Sequence, residues 1–394
     1  MNIQKNILFI TQWDFKDALV QTYTLPYIRI IQNLNVFESA WLILLNGEIK
    51  EPKYSRLDKL YIVELPYGNI TFFSFPKIYT FLKHLVKKQN ITHLHPWCTP
   101  AGSIGILLKQ IHNKKLNLVI DSFEPHAEAM VENGAWKKNS LKFKTLFKFE
   151  KLQAKYADYL VFAAPGMQDY INVKYRVNIK KYMVKPACVD LELFNFDKKK
   201  NESLLNKLNL NNKTVCVYAG KFGGIYLKNE VYEFIKCCIN IIGEKFRFLL
   251  LSNLSDEELN HQLLKFNIPL KYIVKQFVKH SEVADYIGLA DFAICPVKPV
   301  PTKQYCSPIK NGEYWAMGLP VIITKNISCD SNLIEEHNIG YVLKELNNNE
   351  YNLAIKRILQ LLSEKNLPLR IRQFAEEQRQ FSIAQNTYKM IYGM

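Results

Sequence analysis

The sequence lacks any run of about 18 apolar residues, the length that a helix needs to cross a bilayer. Its longest apolar stretches, such as 246–251, have the length of buried strands. The segment 1–11 passes directly from polar residues into a strand-like run, without the hydrophobic region and small-residue cleavage site of an export signal. We therefore expect a chain that does not cross a membrane and that works in the cytoplasm.

Paired cysteines are also missing. None of the eight cysteines forms a Cys-x-x-Cys pair, and most lie in apolar strand-like or helix-like runs, as small buried hydrophobic residues do. This usage fits a reducing compartment. His93 and His95 flank a strand end, but no cysteine accompanies them and no His-Glu-x-x-His helix is present. The sequence therefore predicts no metal site and no bound cofactor.

Acidic residues are fewer than basic residues in this sequence. The 36 Asp and Glu face 52 Lys and Arg, which gives a formal net charge of +16. Such an excess indicates an anionic partner: a membrane surface, a phosphorylated ligand or nucleic acid. No nucleic-acid-binding module is recognisable, so we expect no nucleic-acid partner.

What the sequence has is apolar material in an alternating order. Apolar residues make up 48% of the 394 positions, enough for the cores of two domains. Short apolar runs alternate with amphipathic helical patterns, which is typical of parallel sheets covered by helices. The first series of predicted strands is 7–11, 40–45, 60–65, 92–94, 116–120, 159–163 and 182–185, with helices near 18–33, 76–89, 101–113, 140–156 and 166–173. The second series is 214–219, 246–251, 272–274, 291–295, 320–324 and 340–343.

The region 197–213 separates the two series, since it is rich in Lys and Asn and poor in aromatic residues. We place a domain boundary here and predict two α/β domains, over 1–200 and 201–394, with the last helix able to pack back on the first domain. Open parallel sheets bind ligands at the carboxyl ends of their strands. Two such domains, joined once, are expected to face a central cleft.

The most informative segment has the sequence SPIKNGEYWAMGLPVII and begins at Ser307. Ser307 is a good N-cap and Pro308 suits the first helical position, so a short helix is predicted. Lys310 and Glu313 then lie about one turn apart on one face. A lysine in the first turn opposes the helix dipole unless an anion such as pyrophosphate binds there, and a carboxylate can accept both hydroxyls of a ribose. The alternative is an exposed helix with an ordinary Lys–Glu pair.

A second candidate site is the turn after a predicted strand, which contains Gly220, Gly223 and Gly224. Glycines let backbone N–H groups approach phosphate oxygens closely, and Lys221 and Lys228 add positive charge. The spacing matches neither the GxGxxG nor the P-loop pattern. A purely structural glycine turn is therefore the alternative.

A third candidate site is the segment 121–136, DSFEPHAEAMVENGAW, which follows another predicted strand. Asp121, Glu124, His126 and Glu128 gather ionisable groups at the carboxyl end of that strand, where a ligand would lie. His126 could hydrogen-bond a sugar or a phosphate, and the alternative is a structural histidine.

Together these segments resemble the family-4 glycosyltransferases over nearly the whole chain. SPIKNGEYWAMGLPVI is similar to the family's SPxKxxEYxAxGxPVI segment, YAGKFGGIYLKNEVYEF resembles its phosphate loop, and DSFEPHAEAMVENGAW matches the spacing of its acceptor-domain segment. The resemblance implies the GT-B fold, with an acceptor-binding Rossmann-like domain at 1–200 and a donor-binding one at 201–394. It also implies a retaining transfer of sugar from a nucleotide-sugar donor to a glycan or lipid-linked acceptor in polysaccharide or glycoconjugate biosynthesis.

The resemblance implies roles for individual residues. Glu313 would hold the donor ribose, and basic side chains would stabilise the departing diphosphate without a metal ion or a protein nucleophile. The expected donor-binding residues are Gly220, Lys221, Gly223, Gly224, Lys228, Ser307, Lys310 and Glu313. The expected catalytic residues are Asp121, His126 and Glu128 on the acceptor side, together with Lys310.

The chain departs from the family pattern at Tyr305, where many members have a glutamate that contacts the donor sugar. The sugar contact must then come from elsewhere, and the backbone near Cys306 and Ser307 is a candidate. Two alternative functions remain open: a nucleotide-sugar epimerase of the same fold, and a non-catalytic partner protein that keeps the fold.

One predicted helix suggests a use for the basic charge. The segment 139–156 places five side chains along one stripe: Leu141, Thr145, Phe149, Leu152 and Tyr156. The lysines elsewhere around the helix are Lys142, Lys144, Lys148, Lys151 and Lys155. Such a helix favours peripheral attachment to an anionic membrane, here the inner face of the cell membrane. The alternative is the solvated face of a helix packed on the core.

Overall fold

A computed structural model of the chain describes residues 5–68, 73–112, 115–179 and 181–393. The last residue of the predicted helix 101–113, like residues 1–4 and 394, lies outside this part. Contacts divide the chain into two compact units. The N-terminal unit is Met1–Pro186 with Ser382–Met394, and the C-terminal unit is Ala187–Phe381.

The N-terminal unit contains an eight-stranded sheet within the described residues, in the order β3-β4-β2-β1-β5-β6-β7-β8. Its strands are β1 Asn6–Ile10, β2 Ser39–Leu45, β3 Lys53–Leu57, β4 Leu60–Leu65, β5 His93–Pro96, β6 Asn117–Ile120, β7 Tyr159–Phe162 and β8 Tyr182–Val184. All neighbouring strands pair in parallel except β3, which is antiparallel to β4. Strand β1 is buried along its whole length, as expected for a central strand covered on both faces.

Helices follow the strands of this unit in the alternation that parallel pairing requires. They are α1 Leu25–Gln32, α2 Phe75–Lys88, α3 Cys98–Ile111, α4 His126–Glu132, α5 Leu141–Tyr156 and α6 Met167–Tyr170. Two short π-helical segments, Val20–Thr24 and Ile171–Tyr175, adjoin α1 and α6.

The C-terminal unit contains a six-stranded sheet within its described residues, in the order β11-β10-β9-β12-β13-β14, with every pair parallel. Its strands are β9 Thr214–Ala219, β10 Phe246–Leu251, β11 Ile273–Gln276, β12 Phe292–Cys295, β13 Val321–Thr324 and β14 Gly340–Leu343. Strand β9 lies at the point where the strand order reverses. Ligands of open α/β sheets bind beside the carboxyl end of a strand in that position.

The helices of the C-terminal unit lie before, between and after these strands. They are α7 Glu202–Lys207, α8 Asn229–Ile242, α9 Asp256–Phe266, α10 His280–Ile287, α11 Ile309–Ala316, α12 Asp330–Glu336, α13 Asn348–Leu362 and α14 Leu367–Arg379. The last helix of the chain, α15 Phe381–Tyr392, lies almost entirely in the N-terminal unit.

The chain enters the C-terminal unit earlier than the composition indicates. Contacts place the division at 186/187, whereas the Lys- and Asn-rich region indicates 200/201. The reason is tertiary packing, since Val189 and Phe194 are buried in the core of the C-terminal unit. The Val189 N–H also donates to the Arg379 carbonyl at 2.7 Å. The composition change therefore marks a surface segment of the C-terminal unit.

The predicted class, two parallel-sheet α/β domains, is confirmed. Strand β3 was not predicted, because its side chains are mostly exposed and show no apolar alternation. Among the described helices, none combines the length and the apolar character that a membrane crossing requires.

Candidate functional site

Helix α11 begins at Ile309, and Pro308 occupies its N-cap position. The prediction that Ser307 caps this helix is wrong, because no side chain among the described residues makes a capping hydrogen bond there. The Ser307 hydroxyl instead accepts hydrogen bonds from the Ala187 N–H at 3.0 Å and from Arg379 Nη1 at 2.7 Å. It ties the chain in front of α11 to two other segments of the C-terminal unit.

Arg379 supports α11 from within the core, with a relative exposure of 1%. Its Nη2 pairs with Asp330, which also accepts a hydrogen bond from Asn311 Nδ2 at 2.6 Å. Its guanidinium lies 5.1 Å from the centre of the Trp315 ring. A Cβ on Gly312 would lie 2.7 Å from Val189 Cγ1 and 3.4 Å from Arg379 Cγ, so this helix position leaves little room for a side chain. Sequence reasoning had not singled out Arg379.

Lys310 lies in the first turn of α11 beside the glycine turn after β9. A Cβ built on Gly220 would lie 2.7 Å from Lys310 Cε, and Gly220 has a φ of +151°, which L side chains rarely adopt. The Lys310 ammonium is 3.0 Å from the Tyr226 hydroxyl. Burial alone would lower the pKa of Lys310, but Tyr226 and Glu313 help to raise it above its usual value. The lysine therefore stays charged, and none of the described carboxylates forms an ion pair with it.

Glu313 lies on the same helix with a relative exposure of 8%. Burial raises the pKa of its carboxyl to about 7, although Lys310 opposes the shift. No hydrogen bond from the described residues satisfies this carboxylate. A buried acceptor with two available oxygens beside a charged lysine is suited to a ligand that carries both a diol and an anion.

Helix α11 is held against the end of β9. The Ala219 N–H, at the last residue of that strand, donates to the Tyr314 hydroxyl at 3.0 Å. Tyr314 is fully buried, so this contact sets the distance between the helix and the glycine turn. Lys310 and Gly220, which are far apart in the sequence, are thereby brought together.

The other residues of the glycine turn are more open. Gly223 and Gly224 have φ values of +81° and +60°, and a Cβ on either would meet no described atom within 4 Å. Lys221 is exposed, while Lys228 forms a 2.6 Å ion pair with Glu258. Of the three lysines predicted to bind the diphosphate, Lys310 alone is found packed against a glycine of the turn among the described residues. Lys228 is paired with Glu258, which would compete with a bound anion.

In the N-terminal unit, Asp121 follows β6 and is completely buried. It accepts a hydrogen bond from Tyr388, and its oxygens lie 3.5 Å from both Lys185 Nζ and His95 Nε2. Burial alone would raise the pKa of Asp121, but Lys185 and His95 hold it below its usual range. The structure therefore places Asp121 behind the surface, as a charged support within a polar cluster.

Lys185 completes this buried cluster. Its ammonium lies 3.7 Å from the centre of the Tyr27 ring and donates to the Tyr23 hydroxyl at 3.1 Å. The Tyr23 hydroxyl is in turn 2.8 Å from Ser122 Oγ. The faces of aromatic rings attract cations, which explains how a lysine is retained where water is excluded. Ser122, next to Asp121, has a φ of +52°.

His126 and Glu128 lie at the start of α4 and remain partly exposed. His126 Nδ1 is 3.7 Å from Glu124 Oε1. Glu128 accepts a hydrogen bond from the Tyr170 hydroxyl at 2.7 Å and pairs with Lys174 at 3.2 Å. The two predicted residues thus share one helix and one partly open surface, unlike Asp121.

The start of α4 is held by Glu150, which sequence reasoning did not identify. Its carboxylate accepts hydrogen bonds from the Ala127 N–H at 2.8 Å and from the Tyr175 hydroxyl at 2.9 Å. Burial nevertheless raises the pKa of Glu150 to about 7. The one signal in the sequence was a single acidic residue in a lysine-rich helix. No group of three or more His, Cys, Asp or Glu in the described chain could hold a metal ion.

Comparison with protein families finds a match in part of the C-terminal unit. Residues 298–377 match the glucosyltransferase 3-like C-terminal domain. This segment contains α11 with Lys310 and Glu313. No curated protein is similar enough in sequence to be matched to the chain.

Solved structures resemble the chain over its whole length. Sucrose-phosphate synthase from Thermosynechococcus elongatus matches with a TM-score of 0.74 at 14% identity, covering 99% of this chain and 98% of that one. WaaG, a glycosyltransferase involved in lipopolysaccharide biosynthesis, matches with a TM-score of 0.74 at 13% identity, covering 98% and 100%. Anabaena HepE, in complex with UDP and glucose, matches with a TM-score of 0.70 at 12% identity, covering 99% and 100%. The chain therefore has the GT-B fold of two Rossmann-like parallel-sheet domains.

Proposed function

We propose that this chain is a retaining glycosyltransferase that moves a sugar from a nucleotide-sugar donor to a glycan or lipid-linked acceptor. The observation that carries the proposal is the pairing of Lys310 with Glu313 on α11. One is a cation without a carboxylate in ion-pair contact, and the other is a buried carboxylate without a hydrogen-bond donor among the described residues. The diphosphate of a nucleoside diphosphate would supply an anion for Lys310, and its ribose hydroxyls would supply hydrogen-bond donors for Glu313.

The position of this pair in the sheet supports the same ligand. Helix α11 packs beside the carboxyl end of β9, where the strand order of the C-terminal sheet reverses. The match of 298–377 to a glucosyltransferase-like domain and the UDP named in the HepE complex agree with a nucleotide-sugar donor. We assign the donor to the C-terminal unit on these grounds.

In the proposed reaction, the bond between the anomeric carbon and the diphosphate breaks, and the acceptor hydroxyl attacks from the same face. The chain's contribution is to stabilise the charge that grows on the leaving diphosphate. Lys310 and the N-terminal N–H groups of α11 supply that stabilisation at the buried end. Lys221 and the open backbone of Gly223 and Gly224 supply it from the glycine turn, and Lys228 contributes once it leaves Glu258.

We assign the acceptor to the N-terminal unit. His126 and Glu128 are partly exposed at the start of α4 and carry groups that can hydrogen-bond sugar hydroxyls. Asp121 acts indirectly in this proposal, because it is completely buried and accepts a hydrogen bond from the Ser122 hydroxyl at 3.2 Å. Tyr305 stands where many family members have a glutamate that contacts the donor sugar, so we assign that contact to the segment around Cys306 and Ser307.

We also propose that the chain attaches peripherally to an anionic membrane through α5. The residues that α5 buries are Leu146, Glu150, Gln153 and Ala154, so the predicted stripe is not the buried face of the helix. Leu141 is 80% exposed, and all five lysines of the helix are exposed. An exposed apolar residue among lysines suits the interface of an anionic bilayer. This surface would bring the enzyme to a lipid-linked acceptor.

The experiment that tests the proposed transfer starts with a donor screen. A panel of nucleotide sugars is added to the full-length chain, and the correct donor is expected to raise the melting temperature, because it binds only the folded state. Products are then analysed with and without glycan and lipid-linked acceptors. Transfer should require the acceptor.

The remaining outcomes separate the alternatives. A sugar epimerised without acceptor would identify an epimerase, and binding without any turnover would identify a non-catalytic protein. If no nucleotide sugar or nucleoside diphosphate raises the melting temperature, the donor site has been assigned wrongly.

A further inference from the structure

Tyr226 lies in the glycine turn after β9, and its backbone position is fixed by three contacts. Its N–H donates to the Gly223 carbonyl at 3.0 Å, and it forms an antiparallel bridge with Val297. The neighbouring Ile225 carbonyl accepts the Lys298 N–H at 2.9 Å. The segment after β12 therefore holds this part of the turn. The backbone of Tyr226 is thus fixed by contacts within the protein and does not depend on a ligand.

The side chain of Tyr226 contacts Lys310 in two ways. Its hydroxyl is 3.0 Å from Lys310 Nζ, and the same nitrogen lies 4.5 Å from the centre of the ring. Lys310 Cε also lies against Gly220. The end of the lysine is thus held by an aromatic side chain and a glycine, neither of which carries a charge.

A neutral partner has a different effect from a carboxylate. A carboxylate would neutralise Lys310 and compete with an incoming anion, as Glu258 does at Lys228. A phenol hydroxyl accepts one of the three ammonium N–H donors, and the ring face stabilises the cation without cancelling its charge. Two donors remain for a ligand. The position of Lys310 is set while its attraction for an anion is preserved.

We propose that Tyr226 is a positioning residue that holds the Lys310 ammonium ready for the diphosphate of the donor. The proposal rests on the proposed function and deepens it, since it assigns an aromatic residue to the leaving-group site. Tyr226 acts through Lys310. Its effect should therefore be confined to ligands that carry the diphosphate and should disappear when Lys310 is removed.

The experiment measures binding by calorimetry with two ligands, the nucleoside diphosphate found in the donor screen and its nucleoside. Tyr226→Phe removes the hydroxyl and keeps the ring, and we expect it to weaken binding of the diphosphate by about tenfold. Tyr226→Leu removes both and should weaken it further. The affinity for the nucleoside should change by less than about twofold in both variants. We take a twofold change as the smallest that the measurement resolves.

The decisive comparison is made in the Lys310→Ala background. Adding Tyr226→Phe to that variant should cause no further loss of diphosphate affinity, because the residue through which Tyr226 acts is gone. Tyr341→Phe is the matched control. That residue's hydroxyl contacts Glu350 at 3.2 Å, away from Lys310, so its loss should leave diphosphate affinity unchanged.

The outcomes distinguish this inference from the proposed function. If the wild-type chain binds no nucleoside diphosphate, the proposed function fails and the role of Tyr226 fails with it. If the wild type binds but Tyr226→Phe binds equally well, the positioning role alone is overturned. Equal losses for nucleoside and diphosphate, or equal losses with and without Lys310, would show that Tyr226 only supports the fold of the turn.

Discussion

Arg379 and Asp330 form a buried ion pair in the C-terminal unit, with side-chain exposures of 2% and 0%. Arg379 ends α14 and Asp330 begins α12. The same arginine donates to Ser307, which lies in front of α11. The pair therefore joins three segments around the helix that carries Lys310 and Glu313.

We expect Arg379→Met to lower the free energy of unfolding of the C-terminal unit by about 3 to 5 kcal/mol, because it leaves Asp330 buried without its partner. Urea unfolding of the full chain measures the loss. The control is Arg370→Met, since Arg370 and Glu364 form a surface pair with 45% and 44% exposure. That variant should lose no more than about 1 kcal/mol. Equal losses in the two variants would contradict a structural role for the buried pair.

Glu313→Ala should weaken binding of both the nucleotide-sugar donor and the free nucleotide by about 1 to 3 kcal/mol, the usual cost of a lost hydrogen bond to a charged group. The reason is that the ribose hydroxyls lose their acceptor. Calorimetry measures the loss. The variant should still fold, since alanine is a good helix former. Unfolding, or unchanged nucleotide affinity, would show that Glu313 is structural.

Lys310→Ala should behave differently from Glu313→Ala. Removing the ammonium takes away positive charge that matters most while the diphosphate departs, so turnover should fall by more than substrate affinity. Steady-state kinetics with the identified donor separates the two effects. A rise in KM at unchanged kcat would place Lys310 in binding alone.

Nucleotide affinity should increase with pH through the titration of Glu313. Burial raises the pKa of this carboxyl to about 7, so the empty site holds a proton below that pH. The ionised form is the better acceptor for two ribose hydroxyls, and the proton must leave when they bind. Affinity should therefore rise about tenfold from pH 6 to pH 8. Glu313→Gln cannot titrate and should show only the smaller change that comes from the ligand's own phosphates.

Transfer should proceed without a divalent ion and with retained configuration. Several basic groups are available for the diphosphate, and the sequence has no DxD-like carboxylate pair near a strand end to hold a metal. Full activity in EDTA, with the product configuration read by NMR, is the expected result. A strict requirement for magnesium or manganese would contradict the proposed charge stabilisation, and an inverted product would contradict the proposed geometry of attack.

Charge reversal on α5 should abolish binding to anionic membranes. Replacing Lys142, Lys144 and Lys148 with glutamate removes three exposed cations and adds three anions, which reverses the attraction to anionic lipid. Sedimentation with anionic liposomes measures binding, and neutral liposomes provide the control. Reversal of the exposed lysines Lys344, Lys356 and Lys365 in the C-terminal unit should leave sedimentation unchanged if α5 is the anchor. Unchanged sedimentation of the α5 variant would exclude this helix as the attachment surface.

Most elements of the fold could be predicted because they depend on residues close in sequence. Apolar runs and helical spacing placed the buried strands within a few residues of their observed ends. Strand β3 was not predicted because it is an exposed edge strand. It is held by pairing with β4 and not by an apolar face. The start of α11 was misplaced because the Ser307 hydroxyl bonds to Ala187 and Arg379 instead of to its own helix.

The sequence by itself determined the α/β class, the two-domain organisation and the motif that carries Lys310 and Glu313. Each of these features depends on the hydrophobicity and spacing of residues that are close together in the sequence. Tertiary structure alone decided which charged groups have partners. Lys310 and Tyr226 form a hydrogen bond although they are 84 positions apart in the sequence. The Tyr388 hydroxyl donates to Asp121 although these two residues are 267 positions apart. The free energy of a buried charge depends on the groups packed around it, and those groups are brought together only when the chain folds.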